Sequence, residues 1–350
     1  MTESVFLWVL GAVLTGYLAW GFGALPGEKG QILAAIPFKK TSGDLWEGLN
    51  ITGYGLLIAN AVVFASALYF LLMAGMGIPN DISLLFLTIV MVPALPSARW
   101  IARWVEGKPN TFTTAGAYFT GLLLAPAGLW GLKSIDNDLF APGLELIPVL
   151  AVMSTCYCFG EGLGRLACIS FGCCYGKPLH RLPAMLQKPF ARASFVYFGK
   201  IKKIVYAEGW EGVPIFPIQA VTAMVLVSSG MAGMFFLLSG NIPAAFWTTI
   251  WVSQGWRMAS EYFRCDERGG GRWSAYQWSS LCAMVYAGGL FALSAPPPLV
   301  AVDLLRGLNS FWNPGGILLL EILWLIVFLY MGRSRVTGSS ISLFVRREGI

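Results

Sequence analysis

The sequence predicts an all-α polytopic membrane protein with about nine transmembrane helices, and two observations carry that prediction. Hydrophobic residues make up 56% of the chain and charged residues only 12%, which excludes an ordinary soluble domain. Apolar runs of bilayer-spanning length also recur along the chain. A hydrocarbon core contains no water to satisfy backbone groups, so each such run is expected to form a helix.

Nine runs are long enough to span a bilayer. They occupy residues 4–24, 50–74, 82–104, 111–131, 143–163, 215–239, 243–263, 274–294 and 314–331. The first run has no basic segment before it and no clear small-residue cleavage site, so we interpret it as an uncleaved helix rather than a signal peptide. The segment between the first two runs contains lysines and a short amphipathic stretch, which predicts a piece lying on the membrane surface.

These runs divide the chain into a helical core with an addition at each end. We assign residues 1–49 to an extra N-terminal helix and its surface segment, 50–176 to the first half of the core, and 215–296 to the second half. Residues 297–350 are assigned to an extra C-terminal helix and a basic tail. Between the two halves, residues 177–214 form the one long hydrophilic span, so we expect a small extramembrane head there.

The stretch at residues 156–178 breaks the fifth apolar run into small residues, one arginine and five of the seven cysteines. A guanidinium such as that of Arg165, after a long apolar run, is costly unless it is paired or faces a polar cavity. Beside glycine-rich backbone it indicates an anion site, and the anion most available in a bilayer is a lipid phosphate. The alternative is an arginine that snorkels to the interface beside a loop.

Three cysteines of this stretch, Cys168, Cys173 and Cys174, allow three interpretations. One is an internal acceptor that carries an acyl or diacylglyceryl group. A second is a soft metal site, but the spacing matches no common zinc pattern, so no metal is predicted. The third is a set of small buried packing residues. An odd number of cysteines crowded at one place does not predict a disulfide framework.

Polar residues near the ends of other helices are further candidates. Arg257, Glu261 and Arg264 are spaced i, i+4 and i+7, so Arg257 and Glu261 share one helix face. Each ionisable residue in a membrane segment needs a partner, which makes it a functional candidate. Tyr54 lies near the start of the second run, where tyrosine usually anchors a helix at the interface. Gln219 can point a polar group inward from the start of the sixth run.

Together these motifs resemble the prolipoprotein diacylglyceryl transferase family. The stretch GRLACISFGCCYGKP resembles the family's central motif, in which a Gly-Arg pair precedes a polar cradle and a closing glycine. Other motifs that agree in order are GYGLL around Tyr54, SAR ending at Arg99, PIQ ending at Gln219, and RMASEYFR from Arg257 to Arg264 with the following Gln277. The resemblance runs from about Tyr54 to Ser294, so it covers a seven-helix transferase-like core and leaves the first and last helices as additions.

The resemblance implies a bacterial inner-membrane enzyme without a cofactor. It would transfer the diacylglyceryl group of phosphatidylglycerol to the thiol of a lipoprotein cysteine and release glycerol phosphate. Its implied partners are phosphatidylglycerol or another anionic phospholipid and a lipoprotein precursor, with no nucleic acid. The implied catalytic residues are Arg165, Arg257, Glu261 and Tyr54. The implied lipid-binding residues are Arg99, Gly164, Gly176, Gln219 and Arg264.

Each catalytic residue has an implied role. Arg165 and Arg257 would hold the lipid phosphate and stabilise the charge on the leaving group. Tyr54 would hydrogen-bond in the same cavity, Glu261 would orient an arginine, and Gly176 would allow close backbone approach.

The chain departs from the family pattern at three places. Ala115 lies in TTAGA, where the family has Ser-Phe-His-Gly-Gly, so the histidine given a role in activating the thiol is missing. Cys168 and Cys173 replace an asparagine and a glutamate, and Val221 and Thr222 replace a Tyr-Glu pair. These departures keep two alternatives open. One is a non-catalytic transferase-like subunit of a larger membrane complex, and the other is a lipid-modifying relative with a different acceptor.

The distribution of basic residues and the resemblance give opposite orientations. Nearly all lysines and arginines lie on the side that carries the predicted head. The positive-inside rule puts that side in the cytoplasm. The resemblance puts it outside the inner membrane, where lipoprotein precursors emerge.

Overall fold

Twelve α-helices make up most of the described chain. The computed structural model describes residues 3–107, 113–135, 144–266, 273–297 and 301–350. The helices are α1 (Glu3–Ala24), α2 (Gly53–Gly75), α3 (Asn80–Glu106), α4 (Thr114–Ile135), α5 (Leu146–Phe171), α6 (Ala184–Phe190), α7 (Lys203–Glu208), α8 (Ile218–Leu238), α9 (Ile242–Ser260), α10 (Ala275–Leu293), α11 (Leu304–Phe311) and α12 (Pro314–Gly332). The strands are β1 (Ile32–Ser42), β2 (Leu45–Thr52), β3 (Phe195–Val196), β4 (Pro214–Ile215) and β5 (Arg333–Ser342).

Seven helices within the described ranges are long and apolar enough to cross a bilayer, which confirms the prediction of a polytopic helical membrane protein. They are α1, α2, α3, α4, α5, α8 and α12. Helices α9 and α10 coincide with the predicted runs at 243–263 and 274–294, but their sequences are less apolar. Length and apolarity therefore support seven of the nine predicted spans.

Helix α5 is the central helix of the bundle. Its most apolar window is 78% buried, whereas that of α12 is only 6% buried. It packs against α2, α8 and α9. At the α9 interface the hydroxyls of Ser154 and Thr249 lie 2.7 Å apart, since small residues let helices approach closely in lipid. Because other helices surround α5, any charge on it has to be neutralised by those neighbours.

The segment between α1 and α2 forms a β-hairpin, which the sequence did not predict. Strands β1 and β2 pair antiparallel, and β5 from the C-terminal tail pairs with the other edge of β2. Where the sheet meets the bundle, Thr52 Oγ1 donates a hydrogen bond to the Gly332 carbonyl oxygen at 2.9 Å. The additions at residues 1–49 and 297–350 are therefore joined to each other, and α12 also packs against α2 of the core.

The head follows α5 and contains a 3-10 turn, two short helices (α6 and α7) and the small β3–β4 sheet. Lys202 connects the head to the helical bundle. The Lys202 side chain is buried, and its Nζ donates to the carbonyl oxygens of Leu25 at 2.9 Å and Ser170 at 2.6 Å. Burial lowers the pKa of Lys202 from 10.5 to about 8, and nearby Glu28 opposes that shift. A neutral amine keeps two N–H donors, which is enough for both carbonyls.

Lys202 is expected to give the fold a specific pH dependence. Between pH 8 and 10.5 the unfolded chain holds a proton on Lys202 that the folded chain lacks, so stability rises with pH in that window. The expected slope of the unfolding free energy, relative to Lys202→Met, is at most about 1.4 kcal/mol per pH unit. Denaturant unfolding in detergent micelles at several pH values measures it. The prediction is contradicted if the difference in unfolding free energy between wild type and Lys202→Met stays constant from pH 8 to 10.5.

Candidate anion site

One carboxylate and two guanidinium groups meet inside the bundle. Glu161 and Arg165 are one turn apart on α5, and Arg257 lies near the end of α9. Arg165 Nη2 donates to Glu161 Oε1, and Arg257 Nη2 donates to Glu161 Oε2. Only 3% of the Glu161 side chain is exposed, against 12% for Arg165 and 9% for Arg257. The carboxylate therefore bridges two arginines at a depth where water screens charges weakly.

Two hydroxyl groups complete the shell around Glu161. Tyr157 Oη donates to Glu161 Oε2 and accepts from Arg257 Nη2. Thr114 Oγ1 on α4 donates to Glu161 Oε1 at 3.2 Å. Each carboxylate oxygen thus accepts two hydrogen bonds, which fills the acceptor capacity of the group. Glu161 is therefore suited to hold the arginines in position and poorly suited to act as a free base.

The guanidinium groups, in contrast, are only partly satisfied. Neither Arg165 Nε nor Arg257 Nε has a hydrogen-bond partner among the described residues, although both atoms are buried. A guanidinium offers five N–H donors in a fixed plane, and its usual partner is an anion with several oxygens. The cluster thus has spare buried donors and one direct carboxylate for two positive charges. That combination favours binding of an additional anion.

A narrow cleft of about 10 Å³, roughly the room that one water molecule needs, opens beside this cluster. It is lined by Glu161, Arg165, Thr222, Leu226, Ser253, Trp256, Arg257, Ser260, Glu261 and Arg264. Arg264 Nε and Nη2 bind the carboxylate of Asp266 at 2.8 and 2.7 Å. Glu261 Oε2 accepts a hydrogen bond from Ser274 Oγ at 3.3 Å. The cleft therefore carries charges of both signs, because three arginines and two glutamates line it.

The backbone after α5 holds Arg264 at the cleft. Gly176 forms a bridge with Arg264, and Lys177 N donates to the Phe263 carbonyl oxygen at 3.0 Å. On its other side Gly176 lies against Phe216, where a Cβ would overlap the backbone carbonyl oxygen. A larger residue at 176 would have to displace this backbone, because a carbonyl cannot rotate away as a flexible side chain can.

The structure brings most of the sequence-predicted site residues together. Arg165, Arg257, Glu261 and Arg264 all line the cleft. Tyr54 lies in the first turn of α2, close enough to Arg165 for electrostatic interaction. Gln219 Nε2 donates to the Cys173 carbonyl oxygen at 3.0 Å, and the sulfur atoms of Cys168, Cys173 and Cys174 form a cluster.

Other candidates lie elsewhere in the bundle. The Arg99 guanidinium lies over the Tyr330 ring of α12, 5.0 Å from the ring centre, and Arg99 is not among the residues that line the cleft. Gly164 is buried in α5, and a Cβ there would meet Ile58 Cδ1 at an ordinary 3.7 Å. Ala115, at the position of the family histidine, is buried at the start of α4 next to Thr114.

Sequence reasoning missed Glu161, the residue that organises the site. The signal was present, because Glu161 precedes Arg165 by one helical turn in an otherwise apolar run. The prediction instead gave Glu261 the role of orienting an arginine. Glu161 has direct ion pairs to both Arg165 and Arg257, and it is the more deeply buried of the two glutamates.

The comparisons with known proteins identify no relative. No family model, curated protein or solved structure matches this chain. The site is therefore interpreted from its own residues.

Proposed function

We propose that this chain is a membrane transferase that binds the phosphate of phosphatidylglycerol at the Arg165–Arg257 cleft and moves its diacylglyceryl group to an acceptor. In this proposal the acceptor is a lipoprotein cysteine thiol. One observation carries the proposal: two buried arginines share Glu161, and the Nε of each has no hydrogen-bond partner within the described part of the chain. A phosphate offers several oxygen acceptors and negative charge, which such a pair needs.

The arginines would act on the leaving group. In the proposed reaction the thiolate sulfur attacks the glyceryl carbon that bears the phosphate oxygen. A C–S bond forms, the C–O bond breaks, and glycerol phosphate leaves with the electron pair. Arg165 and Arg257 stabilise the negative charge that grows on that oxygen, and donors fixed before the reaction do so without reorganising. The same positive charges favour the thiolate form of an incoming thiol, which is the nucleophile.

The location and topology form part of the same proposal. In it the chain resides in the bacterial inner membrane, and α9 and α10 span the bilayer in addition to the seven more apolar helices. Their polar residues include Gln254 and Arg257, which are buried and face other helices rather than lipid. The cleft would then lie near the head-bearing side, within reach of lipid headgroups and of a precursor peptide.

The test is a donor-cleavage assay with a matched pair of variants. The full chain is placed in nanodiscs with phosphatidylglycerol and a lipobox peptide, and glycerol phosphate release and peptide mass are followed. Wild type and Arg99→Gln are expected to release glycerol phosphate and to modify the peptide. Arg257→Gln is expected to be slower by roughly tenfold or more, because a charged hydrogen bond contributes about 1.5 to 3 kcal/mol.

The other outcomes separate the alternatives. Release without peptide modification indicates a transferase with a different acceptor. Phospholipid bound at the cleft without any release contradicts an enzyme and favours the non-catalytic subunit. One observation favours that second candidate: Glu321 on α12 is exposed in an apolar helix. A carboxylate facing lipid is costly, and a polar group of a partner subunit would relieve that cost.

A further inference from the structure

Three cysteine sulfur atoms converge at the end of α5. The Sγ atoms of Cys168, Cys173 and Cys174 all lie within 4.8 Å of one another. The other four cysteines of the chain lie outside this group. In a zinc site each thiolate sulfur is about 2.3 Å from the ion, so sulfurs this close can share one ion after small side-chain rotations. The spacing of these three cysteines in the sequence does not predict this arrangement.

The backbone bends to bring the three thiols together. Gly172 ends α5 in the left-handed conformation (φ 70°), and Cys173 N donates to the Cys168 carbonyl oxygen at 3.0 Å. Cys174 also has a left-handed φ of 55°, and among the described residues it is the one non-glycine with a positive φ. This conformation is unfavourable for a non-glycine residue, because its Cβ crowds the following carbonyl oxygen. Glycine would avoid the strain, so the thiol at position 174 is held against a backbone preference, a pattern typical of functional sites.

Cations and polar groups surround the thiols. Arg165 interacts electrostatically with Cys168 and Cys174, and Lys203 does so with Cys173 and Cys174. The thiolate is the form of cysteine that binds metal, and nearby positive charge offsets part of the negative charge that several thiolates would bring together. Cys156 and Cys158, by contrast, are buried among the apolar residues and hydroxyls of the bundle. The cluster therefore differs in its surroundings from the packing cysteines of the same helix.

Gln219 provides an outer contact that fixes this arrangement. Its Nε2 donates to the Cys173 carbonyl oxygen at 3.0 Å and to Tyr197 Oη at 3.2 Å. Its Oε1 is buried and has no hydrogen-bond partner among the described residues. Hydrogen bonds that hold ligand residues in place are typical of metal sites. The spare acceptor would also suit a water or thiol bound to an ion in the cluster.

We propose that Cys168, Cys173 and Cys174 bind one thiophilic cation, with Zn²⁺ as the ion tested, through three thiolates. Each thiol releases its proton to solvent as its sulfur coordinates. Three protein ligands leave the fourth position of a tetrahedral zinc ion open, as in catalytic rather than structural sites. Three thiolates and Zn²⁺ together carry one negative charge, and the nearby Lys203 is a cation that can offset part of it. This proposal does not depend on lipid transfer.

The experiment measures metal binding directly on the reduced full chain. Zn²⁺ is titrated anaerobically in detergent against a chromophoric chelator, and Co²⁺ is used to detect thiolate-to-metal absorption bands. Wild type and the matched control Cys282→Ser are expected to bind one ion per chain. Cys168→Ser, Cys173→Ser and Cys174→Ser are each expected to bind at least about tenfold more weakly and to lose the Co²⁺ bands, because each removes a thiolate ligand.

A second measurement needs no substitution. Maleimide labelling of the wild type, read by peptide mass, is expected to show that Zn²⁺ slows the labelling of Cys174, the partly exposed member of the cluster, and leaves Cys265 and Cys282 reactive. Absence of stoichiometric Zn²⁺ on the reduced wild type overturns the proposal. Protection of other cysteines, or a disulfide within the trio in freshly purified protein that excludes the ion, overturns it as well.

Discussion

Replacing Glu161 with glutamine is expected to lower the free energy of unfolding by about 3 to 5 kcal/mol. The substitution keeps the shape of the side chain but removes the negative charge between Arg165 and Arg257. Two buried guanidinium groups would then face each other without their shared counter-ion. Denaturant unfolding in detergent micelles measures the change. Glu211→Gln is the matched control, because Glu211 is exposed and accepts a hydrogen bond from the Gly199 backbone N–H.

Repeating that experiment with an anionic lipid tests whether the cluster binds anions. If the cleft binds phosphate groups, phosphatidylglycerol should stabilise Glu161→Gln more than wild type, since the variant has more uncompensated positive charge. Binding to the folded state alone adds about 2.7 kcal/mol at a ligand concentration of one hundred times Kd. A loss of stability no larger than that of Glu211→Gln would show that Glu161 does not neutralise the arginines. Equal stabilisation of both proteins by the lipid would argue against an anion site at the cluster.

The membrane helices could be predicted from the sequence because the physical signal is local. A run that is apolar for the thickness of a bilayer has to form a helix wherever it lies in the fold. The hairpin of β1 and β2 carries no comparable signal. Strand β2 is held on its far edge by β5, nearly three hundred residues later in the chain, and such long-range pairing leaves no pattern within either segment.

The residue types of the candidate site could be predicted from the sequence, but only some of the contacts between those residues could. Helical spacing predicted that Arg257 and Glu261 share a helix face, but α9 ends at Ser260, and Arg264 lines the cleft from extended backbone after a 3-10 turn. Spacing also describes only a single helix face. It does not say which helix that face meets. Glu161 pairs with Arg257 across the α5–α9 interface, whereas Arg99, on a different helix, lies against Tyr330. Sequence spacing also fails to reveal the cysteine cluster. A left-handed turn, rather than a regular spacing, brings its sulfur atoms together.

Replacing Arg165 with glutamine is expected to slow release of glycerol phosphate by about 100- to 1,000-fold, the usual effect of losing a donor to the developing negative charge. The effect on stability should be much smaller than that of Glu161→Gln. Glu161 would still accept hydrogen bonds from Arg257, Tyr157 and Thr114, so no buried charge is left alone. Initial rates in phosphatidylglycerol nanodiscs, paired with denaturant unfolding of the same samples, measure both quantities.

Chemical rescue separates a catalytic role of Arg165 from a structural one. Arg165→Ala leaves space where the guanidinium was, and millimolar guanidinium should restore part of its activity, whereas Arg165→Gln keeps that space filled and should respond less. Guanidinium at this concentration is far below the molar range that unfolds proteins, so a gain in rate would reflect a donor returned to the cleft. If Arg165→Gln releases glycerol phosphate as fast as wild type, the charge on the leaving oxygen is stabilised elsewhere and Arg165 is not the phosphate-binding residue. If Arg165→Gln unfolds as readily as Glu161→Gln, Arg165 is required for the ion pair that stabilises the fold rather than for the reaction.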